Sequence, residues 1–170
     1  MTTVVFSHGQ ESGPWGTKIR AMADLARSMG CAVQSIDYQG IEDPQDRVTK
    51  LLDEVADLDD SLVLVGSSMG GHVATAAADT LGAVGLFVLA PAYYMEGYES
   101  LTPEPPAAPI CIVHGWHDDI VPVENSIRFA RSCGATLHLV DGGHRLTANI
   151  AEIIEYFRFF LEKTSASRGH

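Results

Sequence analysis

Residues 62–71 read Leu-Val-Leu-Val-Gly-Ser-Ser-Met-Gly-Gly. Four apolar residues without polar alternation suit a strand covered on both faces. The glycines and serines that follow break the strand at once. Such a break could be an ordinary strand-to-helix turn, a phosphate loop or the seat of a nucleophile. The phosphate loop fails because no Lys-Ser or Lys-Thr follows the glycines, and the dinucleotide fingerprint fails on glycine spacing. Gly66 and Gly70 stand two residues on either side of Ser68. A serine on a sharp strand-to-helix turn takes a strained backbone conformation that aims its hydroxyl outward, and small flanking residues let the chain turn without clashes. Ser67 lacks that symmetric flank, so Ser68 is favoured over it. Gly71 and Ala74 would let the next helix pack closely.

Outward from this turn, short apolar runs alternate with amphipathic stretches. Thr3–Phe6, Ala32–Ile36, Leu62–Val65, Val84–Leu89, Ile110–Val113 and Thr136–Val140 read as strands. Val48, Leu51, Leu52, Val55 and Leu58 recur at helical spacing, with Asp43 as N-cap and Pro44 at the first helical position. Ile19, Met22, Ala26 and Met29 form a second stripe closed by Gly30, and Ile127, Ala130 and Cys133 a third ended by Gly134. Ile150, Ile153, Ile154, Phe157 and Leu161 make the last. The alternation predicts a three-layer α/β/α sandwich on a mostly parallel six-stranded sheet. Residues 1–164 read as one domain and 165–170 as a frayed tail. The stretch from Pro91 to Pro109 breaks the rhythm. It holds five of the eight prolines and reads as a long loop with room for one short helical turn.

The bulk numbers narrow the partners. A chain of 170 residues with 46% apolar residues can bury a full core. A net charge of −11 argues against nucleic acid and anionic membrane, which would be repelled. Cys31, Cys111 and Cys133 are odd in number and widely spaced, which suggests neither a disulfide framework nor a zinc site. With no basic leader or cleavable apolar stretch, and no apolar run long enough to span a bilayer, a cytoplasmic protein without membrane insertion is expected. Oligomeric state has no sequence signal.

Ligands of open parallel sheets bind beyond the carboxyl ends of the strands, and two further motifs lie there. His114-Gly115-Trp116-His117-Asp118-Asp119-Ile120-Val121-Pro122 follows the fifth strand. A carboxylate there can hold an imidazole in one tautomer; the plainer reading is a solvated acidic turn. Asp141-Gly142-Gly143-His144 follows the sixth. Its glycines can carry a ring over the sheet edge, although most of the seven histidines will have no such task. Together, Ser68, Asp118 and His144 supply a nucleophile, an orienting carboxylate and a base from one edge of one sheet. Asp119 is the close rival of Asp118, and Asp37 a distant one. His8 and His114 read as histidines packed under the site and bonded to backbone. No metal is implied, because His114, His117, Asp118 and Asp119 match no common ligand spacing.

At this point the chain resembles the α/β-hydrolase superfamily over nearly its whole length. Gly66–Gly70, His114-Gly115-x-x-Asp118-x-x-Val121-Pro122 and Gly142-Gly143-His144 are similar to that family's nucleophile, acid and histidine motifs, in the family's order. The motif spacing selects Asp118. Phe6-Ser7-His8-Gly9-Gln10 resembles the family's His-Gly loop. The resemblance implies that the backbone N–H groups of Gln10 and Met69 form an oxyanion hole. With no room before Thr3 for the two leading strands many members have, six strands are expected. With no insert between Leu89 and Ile110, a lidless carboxylesterase without a cap domain is implied. It would act on small soluble esters of short to medium chain length and need no cofactor. A thioesterase, an amidase or peptidase with the same residues, and a non-catalytic binding protein are the alternatives. Trp15, Tyr93, Tyr94, Met95 and Trp116, with Tyr98, either line an acyl pocket or cover the core where a cap is missing.

Overall fold

The computed structural model describes residues 1–166. Six strands form one sheet: β1 (Thr2–Ser7), β2 (Ala32–Ile36), β3 (Ser61–Ser67), β4 (Gly85–Leu89), β5 (Ile110–Gly115) and β6 (Thr136–Val140). Five helices alternate with them: α1 (Thr17–Ser28), α2 (Pro44–Glu54), α3 (Met69–Ala78), α4 (Val123–Cys133) and α5 (Ile150–Ala166). The sheet order is β2-β1-β3-β4-β5-β6, and every pairing is parallel.

The period of two along each strand divides the core. Val4, Phe6, Val63, Val65, Phe87 and Leu89 face the layer holding α1 and α5. Val5, Leu62, Leu64, Leu86 and Val88 face α2, α3 and α4. Both sets are almost fully buried, which is why these strands read as unbroken apolar runs. The edge strands β2 and β6 are only half covered.

The direction in which successive strands are added to the sheet reverses between β1 and β3. From β1 the chain leaves through α1 on one face, and from β3 through α3 on the other. A crevice therefore opens between their carboxyl ends. The register sets Ser7 beside Gly66, so the loop after β1 and the turn after β3 are neighbours by construction.

Local signals behave as their chemistry requires. The Asp43 carboxylate accepts the Gln45 N–H at 2.8 Å with Pro44 opening α2. Gly134 closes α4 at φ 72°. The stripe through Leu58 overshoots: α2 ends at Glu54, and Leu58 lies in a following turn, its N–H on the Val55 carbonyl. The loop from Pro91 to Pro109 contains one short helical turn, Glu99–Leu101. Ser165 and Ala166 continue α5, so the frayed tail expected from 165 does not begin there; its remainder lies outside the described residues. Among the described residues no helix is long and apolar enough to cross a membrane.

Candidate active site

Ser68 joins β3 to α3 at φ 54° and ψ −118°, a conformation that costs a non-glycine residue energy. Four main-chain hydrogen bonds hold it there. Its N–H donates to Leu89, and its carbonyl accepts from Gly71, His72 and Ala92, at 2.9, 3.0, 3.3 and 3.0 Å. The flanking glycines are obligatory: a Cβ on Gly66 would overlap the Gly70 carbonyl, and one on Gly70 the Ser7 carbonyl. The tight turn leaves the Ser68 side chain partly exposed at the crevice.

His144 reaches it from the loop after β6. Its Nε2 lies 3.1 Å from Ser68 Oγ, and its Nδ1 lies 2.8 Å from Asp118 Oδ2. The carboxylate accepts a hydrogen bond from Nδ1–H, which leaves Nε2 free to accept one from the serine hydroxyl. Asp118 has a fully buried side chain. Its Oδ1 accepts the N–H groups of Ile120 and Val121, each at 2.8 Å. Burial alone would raise its pKa. The His144 hydrogen bond and the two amides outweigh burial and hold the carboxyl below the usual carboxylate range. The loops after β5 and β6 are tied together by Trp116 N–H on Val140 and His117 N–H on Gly142, at 2.9 and 3.0 Å.

The opposite wall is main chain. Gly9 packs against the elbow, where a Cβ would stand 3.6 Å from Ser68 Cβ, and Gln10 follows it. Met69 opens α3, where helix geometry leaves N–H groups without intrahelical acceptors. Among the described residues neither the Gln10 nor the Met69 amide has an acceptor. Over Ser68 lies an open cavity of about 790 Å³, lined by the loop from Ser7 to Gly13, the start of α1 and the segment from Gly143 to Ile150.

The comparisons bear on the family and the fold. Residues 3–104 match the model of an uncharacterised protein family, UPF0227. A solved structure from Xanthomonas campestris pv. campestris, assigned to the alpha/beta hydrolase superfamily, is 31% identical. The match covers 95% of this chain and 98% of that one, with a TM-score of 0.86. The chain belongs to UPF0227 and to the α/β-hydrolase superfamily. Two more distant structures share the fold. One is Est1E from Butyrivibrio proteoclasticus, 19% identical over 97% of this chain and 88% of its own, TM-score 0.81. The other is a serine hydrolase without lid from Xanthomonas campestris, 17% identical over 95% and 81%, TM-score 0.72. No curated protein matches the sequence.

In this hydrolase-family chain the aromatic residues, for which lining a pocket and covering the core were the two expectations, divide between core and surface. None of Trp15, Tyr93, Tyr94, Met95 and Trp116 lines the cavity over Ser68. Tyr93 is buried, stacked on Phe129 at 4.0 Å, its hydroxyl 2.6 Å from Thr75 Oγ1. Tyr94 packs beneath Arg128 and Phe129. Trp116 is half exposed, and Trp15 is partly covered by the Arg27 guanidinium, 5.6 Å over its ring. The loop from Pro91 to Pro109 leaves Ser68 by the Ala92 N–H on its carbonyl and packs over α3 and α4, where Asn125 Nδ2 donates to the Tyr93 carbonyl. Asp119 is exposed on the cavity rim, and the Asp37 carboxylate accepts the Gln39 N–H.

Two contacts beside the site escaped sequence reasoning, that of His114 with Asp118 and that of Lys18 with Arg145. His114 was expected only to bond backbone, and its Nε2 does lie 2.9 Å from the Val121 carbonyl. It also lies 3.0 Å from Asp118 Oδ2, while Nδ1 takes the Ser126 hydroxyl at 2.6 Å. Those partners fix the Nε2–H tautomer, and burial lowers its pKa against the opposing pull of the carboxylate. Lys18 reaches across the cavity from α1, its ammonium donating to the Arg145 carbonyl at 2.7 Å. Burial, and next the Arg145 charge, bring its pKa down to about 8. Lys18 belongs to no recognised motif, and His114, which opens the acid motif, carries no sequence sign of its contact with Asp118. Among the described residues no three His, Cys, Asp or Glu side chains are grouped to hold a metal ion.

Proposed function

We propose that the protein is a serine esterase that cleaves small carboxylic esters through an acyl-Ser68 intermediate. One observation carries the reading: a strained, partly exposed Ser68 within 3.1 Å of His144 Nε2, whose other nitrogen is 2.8 Å from a buried Asp118. His144 takes the Ser68 proton as Oγ attacks the carbonyl, then returns it to the departing alcohol. Asp118 keeps the imidazole in the Nδ1–H form and stabilises it when charged. Water then attacks the acyl group with His144 again as base. The amides of Gln10 and Met69 receive the oxyanion, each such donor being worth about 3 kcal/mol of barrier.

The open cavity favours a small soluble ester over a lipid chain needing enclosure. A structure of Est1E, 18% identical, holds ferulic acid, which makes esters of aromatic acids worth testing beside simple alkyl esters. The experiment is hydrolysis of p-nitrophenyl acetate and butyrate by wild type and Ser68→Ala, with matched thioester and amide substrates. Ester turnover that disappears in Ser68→Ala supports the reading. Turnover confined to the thioester or amide moves the activity to that class, and turnover retained by Ser68→Ala removes the serine mechanism.

A further inference from the structure

Arg47 contradicts the usual placement of arginine. It is 1% exposed, and no ion pair among the described residues includes it. A buried charge without a counter-charge is unfavourable unless hydrogen bonds replace its water. Here main-chain carbonyls replace it. Nε donates to Ile41 at 2.7 Å, and Nη1 donates to His8 at 3.1 Å and Gly9 at 3.3 Å. The guanidinium also lies 5.3 Å over the Tyr38 ring.

Two of those carbonyls belong to the loop beside Ser68. The Gly9 carbonyl is held three times over: by Arg47, by His8 Nδ1–H at 2.7 Å and by the Ser12 hydroxyl at 3.4 Å. His8 is itself locked, because its Nε2 accepts the Tyr38 N–H at 2.8 Å. No peptide bond among the described residues is cis. In a planar trans peptide the N–H points opposite to the carbonyl. Drawing the Gly9 carbonyl toward α2 therefore turns the Gln10 N–H away from Arg47.

We propose that Arg47 is a positioning residue for the oxyanion site: by holding the His8 and Gly9 carbonyls it aims the Gln10 N–H at the oxyanion formed on the Ser68-bound carbon. The inference rests on the esterase reading above. It explains why the position holds arginine. A lysine is a single point charge and cannot reach Ile41, His8 and Gly9 together, whereas the guanidinium fork can. It also explains how an exposed loop with no regular structure stays ordered enough to serve as a fixed dipole.

The test compares wild type, Arg47→Met and Arg47→Lys with p-nitrophenyl acetate as substrate and butylboronic acid as a tetrahedral analogue, foldedness being checked by circular dichroism and gel filtration. In Arg47→Met, kcat should fall about 100-fold while KM stays within about twofold, because misaimed donors act only on the tetrahedral state. The boronate inhibition constant should rise by about the same factor, and Arg47→Lys should lie between. If Arg47→Met does not fold, Arg47→Lys decides by the same criterion. Unchanged kcat in a folded variant overturns the proposal, as does a loss of kcat with boronate affinity intact. Wild type that neither turns over the ester nor binds boronate overturns the esterase reading and this inference together; an active wild type with indifferent variants overturns this inference alone.

Discussion

The two sides of Ser68 are held by different means. On the His144 side, side chains do the positioning: the serine bonds an imidazole, the imidazole a carboxylate, and the carboxylate two amides and a second histidine. On the Gln10 side the proposed functional group is a main-chain N–H, and a buried arginine one helix away holds the neighbouring His8 and Gly9 carbonyls. The first kind of order is carried by residues whose types are demanded by the chemistry. The second is carried by residues demanded only by packing and by hydrogen-bond satisfaction. Damage should therefore register differently on the two sides: loss of chemistry on one, loss of aim on the other.

The largest expected effect is chemical. Ser68→Ala or His144→Ala should lower kcat about 10,000-fold or more against p-nitrophenyl acetate with the fold intact, since the remaining groups only bind and polarise. A His144→Ala variant within tenfold of wild type would remove the asymmetry between the sides. Gly70→Ala comes next and acts on the junction between them. Its methyl would enter the Ser7 carbonyl, so a loss of about 3 kcal/mol or more in urea denaturation is expected, with activity lost in parallel. Normal stability in that variant would mean the elbow can relax. His114→Leu removes one neighbour of Asp118 and leaves the Ser126 hydroxyl unpaired, so kcat should fall about tenfold with little change in KM. An unchanged kcat would reduce His114 to a packing residue.

Acid should weaken the fold through both sides. His8 and His114 are buried, with pKa values lowered first of all by burial. Their folded pKa values lie below those of the unfolded chain, so the unfolded state binds more protons as pH drops below about 6.5. The stability they contribute is present above that value and is lost as pH falls through their folded values. Asp118, also depressed, adds a loss in the same direction at lower pH. Unfolding free energies from urea titrations should decrease from pH 7.5 to 5.5, the slope approaching at most about 1.4 kcal/mol per pH unit for each histidine below about pH 6.5; a flat profile would show that the histidines titrate equally in both states. The smallest effect belongs to Met69→Ala. The proposed mechanism engages only its N–H, so kcat/KM should stay within about threefold, and a large loss would transfer the role to the side chain.

The division between the two sides also governs what the sequence reveals. Unbroken apolar strands and helical stripes gave away the sheet, because burial on both faces leaves no room for polar residues. Gly66 and Gly70 gave away the elbow, because any Cβ there collides with backbone. Arg47 stayed hidden inside an ordinary amphipathic helix, since nothing local distinguishes a buried arginine from an exposed one. The aromatic residues left two readings open for a related reason. Tyr93 and Tyr94 follow β4 at the edge where the site lies, but Phe129 and Thr75 gather them into the α3–α4 layer. Sequence position fixes which end of the sheet a loop leaves from and not which neighbour its side chains prefer.

The most direct test of the central claim, that Ser68 is an activated nucleophile, is labelling of the purified protein with a fluorophosphonate, followed by mass spectrometry, in wild type, Ser68→Ala and Ser67→Ala. Labelling of Ser68 in wild type and Ser67→Ala, and none in Ser68→Ala, is the predicted result. A folded wild type that takes no label, or label that persists in Ser68→Ala, would contradict it.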